Sequence, residues 1–130
     1  MNIIRTESFQ ATINIGLELG YTKEVYSKDL LIKELQAYQQ KRIDAAGIYL
    51  SASVSECSIV LSGQKEPHLK LEFINYPKFP LTTKVFKKEI VDLGAYLLNK
   101  MQQNRTVVVF TDETIMLELD EAIDTRIKTY

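Results

Sequence analysis

The chain has 130 residues, with 16 lysines and arginines against 17 aspartates and glutamates and a formal net charge of −1. That length suits one domain, and the near-neutral balance excludes a protein held to nucleic acid by a broad grip on phosphates. A hydrophobic share of 45% with a charged share of 25% excludes a disordered chain.

Cys57 is the only cysteine, so no disulfide can form within the chain and a reducing compartment is the simpler reading. Met1 to Ser8 lacks the apolar run of a secretory signal. No segment approaches the ~20 apolar residues of a membrane helix. The expectation is one cytoplasmic domain over 1–130, with its core in about residues 8–119 and a polar tail over 120–130.

From Phe9 to Leu19 the alternation is nearly perfect. Phe9, Ala11, Ile13, Ile15, Leu17 and Leu19 share one face, and Gln10, Thr12, Asn14, Gly16 and Glu18 share the other, which is the period of a half-buried strand ending at Gly20. Ser27 is placed to cap a helix, with Asp29 in its first turn. Leu31, Leu35, Tyr38 and Ile43 form its apolar stripe, and Gly47 suits the left-handed residue after it.

Ile48 to Ser62 reads as a strand that changes phase. Leu50, Ala52 and Val54 alternate inward, then Cys57, Ile59 and Leu61 take the odd positions; a β-bulge near Ser55–Glu56 would reconcile the halves. A turn from Ser62 to Pro67 leads to a third strand through Leu69, Leu71 and Phe73, stopped by Pro77 and Pro80. Thr82 or Thr83 caps a second helix with the stripe Phe86, Ile90, Leu93, Leu97 and Met101, and Asn104 suits its C-terminal end. Arg105 to Phe110 is a β-branched strand, Thr111 to Thr114 a turn, and Ile115 to Leu119 a returning fifth strand.

The order β-α-β-β-α-β from Phe9 to Phe110 resembles the ferredoxin-like superfold. The resemblance implies an α+β two-layer sandwich: a mainly antiparallel sheet, both helices on one face, and here an extra C-terminal hairpin strand. Right-handed crossovers place the helices together. Such a fold hosts many activities and fixes none.

Motif chemistry is sparse. His68 is the only histidine, and with Cys57 it supplies at most two zinc ligands, so no metal is expected. Cys57 reads as a small buried apolar residue. No Gly-flanked elbow presents a serine nucleophile. The five glycines are scattered, so no phosphate loop and no cofactor are expected. The open sheet face carries Thr12, Asn14, Ser51 and Ser53 where an RNA-binding sheet would carry aromatics. Neither nucleic acid nor membrane is an expected partner.

The topology gathers Tyr21, Ser27, His68 and Arg105 at one end of the sheet, where helix N–H groups and an arginine suit a small anionic ligand. The other end gathers Tyr76 and Phe79 between prolines, and with the exposed strand edges this suits a homo-oligomer contact. The expected function is a non-catalytic oligomeric binding or regulatory protein for a small anionic ligand or a protein partner. Two alternatives stand beside it. One is a cofactor-free enzyme using general acid–base chemistry through Tyr21, His68 and Arg105, and the other is a structural adaptor subunit with no ligand.

Overall fold

The computed structural model describes residues 1–19 and 24–119. It is an α+β fold: two helices, α1 (Lys28–Ala46) and α2 (Thr83–Lys100), and five strands, β1 (Gln10–Gly16), β2 (Ser53–Leu61), β3 (Gln64–Ile74), β4 (Arg105–Phe110) and β5 (Thr114–Glu118). The strands form one sheet in the order β2-β3-β1-β4-β5, and every neighbouring pair is antiparallel. Tyr21 and the segment 120–130 lie outside the described residues.

The alternation of β1 sets the layers. Ala11, Ile13 and Ile15 are buried in one cluster with Leu69, Leu71 and Phe73 of β3, Val108 and Phe110 of β4, Leu31 and Leu35 of α1, and Phe86, Ile90, Leu93 and Leu97 of α2. Both helices therefore share one core with one face of the sheet. The caps are those the sequence calls for. Ser27 Oγ accepts from Leu30 N at 3.1 Å, Thr82 Oγ1 accepts from Val85 N at 3.2 Å, and Gly47 takes φ 63° after α1. Ile43, expected in the core stripe, is only half-buried. The stripe instead continues from Leu35 to Arg42, whose guanidinium pairs at 2.6 Å with Glu89 of α2, a carboxylate whose side chain is 4% exposed.

Three local expectations are corrected. No β-bulge interrupts β2, because Ser53 to Leu61 pair one for one with Glu72 to Gln64. The phase change is real, and it means that the apolar residues change sides. Val54 faces the helices opposite Leu71, whereas Cys57 and Ile59 face away, opposite His68 and Glu66. Glu56, Ser58 and Val60, on the helix side of this edge strand, are exposed because no layer covers them there.

The expected turn from Ser62 to Pro67 is only Ser62 and Gly63, with Leu61 paired to Gln64. Pro67 sits inside β3, where its carbonyl accepts from Leu17 N at 3.1 Å. Asn104 does not end α2. The helix stops at Lys100, Gln102 takes the left-handed conformation at φ 49°, and Asn104 O accepts from Leu119 N at 3.0 Å.

The end of the sheet near Asn75 is fastened by that side chain. Asn75 Nδ2 donates to Thr6 Oγ1 and to Glu7 O, and its Oδ1 accepts from Leu81 N at 2.9 Å. One buried amide thus joins the N-terminal segment, the exit of β3 and the approach to α2. Beside it Phe79 stacks on Tyr49 at 4.2 Å, with Tyr76 tilted against Phe79 at 6.2 Å.

Candidate functional site

On the face of the sheet away from the helices lies a cavity of about 390 Å³. Its floor is the helix-distant side of β1 and β4 at Asn14, Gly16 and Val107, and its walls include Ile59, Glu66, His68, Gln103, Arg105 and Met116. The size falls within the roughly 300–1,000 Å³ of small-molecule sites. The phase change in β2 explains the wall, since it turns Ile59 toward the cavity and not toward the core.

Register places the polar groups. Gly16 pairs with His68, and His68 pairs on its other side with Cys57. His68 Nε2 stands 3.5 Å from Glu66 Oε2, and His68 Nδ1 is buried without a hydrogen-bond partner among the described residues. Burial lowers the imidazole pKa below its ordinary value, and the hydrogen bond and charge of Glu66 oppose that only in part. His68 is therefore a neutral ring at neutral pH. Glu18, 8% exposed, closes the cavity beyond β1.

The sequence-selected residues divide. His68 and Arg105 do meet at this cavity. Arg105 Nε pairs with Glu118 Oε2 across the β4–β5 ladder. Ser27 is not among the cavity's lining residues; it is exposed and its hydroxyl caps α1. Tyr21 lies outside the described residues. Glu18, Glu66, Gln103, Ile59 and Met116 were missed, although one signal was legible: once the bulge is removed, the odd positions of β2 place Ile59 opposite Glu66 on the open face.

Two carboxylates, Glu18 and Glu66, face the cavity beside a neutral imidazole, and its arginine is matched by Glu118. The lining thus combines charged and polar groups with the apolar side chains of Ile59, Val107 and Met116. Among the described residues no group of three or more histidine, cysteine, aspartate or glutamate side chains is arranged to hold a metal ion, and no helix is long and apolar enough to cross a membrane.

The sequence matches no family model and no curated protein. The fold matches two solved structures over most of its length. One is a phage SAM lyase in complex with S-methyl-5'-thioadenosine, with a TM-score of 0.70 and 19% identity, covering 95% of this chain and 98% of that one. The other is a phage SAM lyase in the apo state, with a TM-score of 0.64 and 18% identity, covering 88% and 92%. Both neighbours are enzymes. The expectation of a non-catalytic binding or regulatory protein is overturned by these likenesses and is set aside.

Proposed function

We propose that this chain is a lyase acting on S-adenosylmethionine (SAM), with the cavity on the open sheet face as its active site. The observation that carries the reading is the lining of that cavity, Glu18 and Glu66 against Ile59, Val107 and Met116, in a fold shared with SAM lyases. The strand order β2-β3-β1-β4 and the shared helix layer support a ferredoxin-like scaffold, with β5 added at the edge.

The substrate chemistry suits such a lining. SAM carries a sulfonium, an ammonium, a carboxylate and an adenine. Breaking the bond from sulfur to the four-carbon fragment returns the electron pair to sulfur and leaves neutral S-methyl-5'-thioadenosine. A lyase adds no water, so the carbon that loses sulfur takes its new bond from within the fragment. The sulfonium is its own activated leaving group, and the protein's tasks are to bind, orient and exclude water.

Each lining residue then has a task. Glu18 and Glu66 oppose the substrate's positive charges, the apolar wall takes the thioether and adenine, and a neutral His68 adds no repelling charge. This reading takes up the cofactor-free enzyme weighed from the sequence, and it replaces the small anionic ligand with a cationic one. A homo-oligomer remains part of the proposal, with Tyr76 and Phe79 exposed beside the stacked Tyr49 as its contact.

Binding tests the reading. S-methyl-5'-thioadenosine should raise the melting temperature of the protein, since a ligand held only by the native state stabilises it. Ile59→Asp, which puts a charge into the apolar wall, should abolish that shift. A shift that persists in Ile59→Asp would place the ligand elsewhere.

A further inference from the structure

Gln103 is a cavity residue whose hydrogen bonds decide which way its amide faces. Gln102, left-handed at φ 49°, turns the chain sharply after α2 and returns Gln103 over β1. Gln103 Nε2 donates to Glu18 O and, at 2.9 Å, to Met101 O. Both partners are carbonyl oxygens, which only accept, so the amide cannot be flipped. Its two donor hydrogens are spent, and Oε1 takes no hydrogen bond from the described residues. The amide therefore offers a ligand an acceptor and no donor.

Gly16 makes that position accessible. A Cβ at Gly16 would overlap Gln103 Oε1 and stand 3.2 Å from its Cδ and 3.6 Å from His68 Cε1. Gly16 is the last residue of β1, and a glycine in a strand can mark a close approach by another group. Here that group is the tethered amide.

We propose that Gln103 Oε1, seated on Gly16, accepts the ammonium group of the substrate's amino-acid end and so selects for that end of the molecule. An adenine edge presents a donor beside an acceptor, and an amide with both hydrogens committed cannot answer both. An ammonium has three donors and no acceptor, and it matches a carbonyl oxygen near Glu18 and Glu66. Gln103 is a specificity-determining residue and Gly16 a positioning one. The inference rests on the SAM lyase reading and names which part of the substrate this corner holds.

The test compares two stable ligands by calorimetry. S-adenosylhomocysteine carries the amino-acid end, and S-methyl-5'-thioadenosine lacks it. In Gly16→Ala the dissociation constant for S-adenosylhomocysteine should rise at least tenfold, while that for S-methyl-5'-thioadenosine stays within twofold and thereby certifies the fold. Gln103→Met, which keeps the length and removes the acceptor, should repeat the pattern. Equal loss of both ligands, or no loss of either, would overturn the assignment of Gln103. Failure of the wild-type protein to bind either ligand would instead take down the functional reading, and the inference with it.

Discussion

Replacing Glu66 by glutamine removes a charge while keeping the shape of the side chain. Glu66 lines the cavity, stands 3.5 Å from His68, and has a side chain 26% exposed. A charge-assisted contact contributes about 1.5–3 kcal/mol, and partial solvent screening takes Glu66 to the lower part of that range, about 1.5–2 kcal/mol. At about 1.4 kcal/mol per factor of ten, the dissociation constant for SAM should rise by roughly 10- to 30-fold.

The distribution of the loss is the sharper expectation. The sulfonium charge disappears as its carbon–sulfur bond breaks, so a carboxylate beside it holds the ground state more tightly than the transition state. Interactions of that kind lower KM without raising kcat. Glu66→Gln should therefore raise KM and leave kcat unchanged or slightly higher. Steady-state kinetics, following formation of S-methyl-5'-thioadenosine at saturating and sub-saturating SAM, reads both parameters. A hundredfold fall in kcat at constant KM would refute the reasoning and make Glu66 a group that acts on the transition state.

Other expectations concern titration, packing and assembly. The single histidine gives one imidazole signal in NMR, and its midpoint should lie below the usual value of about 6.5 because burial disfavours the charged ring. With the folded pKa lowered, the contribution of His68 to stability is complete above the unfolded value and is lost as pH falls through the folded one; a midpoint above 6.5 would contradict this. Arg42→Ala strands the buried carboxylate of Glu89 and should cost about 2–3 kcal/mol in urea denaturation, below the full value for a buried pair because Arg42 is 30% exposed; a loss under about 0.5 kcal/mol, the level of an ordinary surface change, would show the pair to be idle. Light scattering at dilute concentration should give a multiple of the 14.9 kDa chain mass, reduced by Tyr76→Ala with Phe79→Ala. A monomer at every concentration would remove the proposed assembly.

The layers were legible because burial follows periodicity. Ile13, Ile15, Leu71, Phe73, Leu31, Leu35, Ile90, Leu93 and Leu97 all lie in the core where their spacing puts them. The caps at Ser27 and Thr82 were legible because capping is local chemistry.

The site was harder to read, for a physical reason. Its residues come from β1, β2, β3, β4, β5 and the α2–β4 connection, and only strand register brings them together. Reading the phase change in β2 as a bulge sent Ile59 to the wrong face and hid the apolar wall. Arg105 looked available for an anion because its cross-strand neighbour Glu118 is 13 residues away in sequence. Gln103 carried no signal at all, since its role depends on a left-handed turn at Gln102 and on the missing side chain at Gly16.

The central claim is tested most directly by incubating purified protein with SAM and following both substrate and products by chromatography with mass detection. The account predicts that S-methyl-5'-thioadenosine accumulates one for one with SAM consumed. In water enriched in oxygen-18, none of the label should enter the four-carbon fragment during the cleavage step. Intact SAM after prolonged incubation with stoichiometric protein, or cleavage that leaves the four-carbon fragment attached to sulfur, would contradict it.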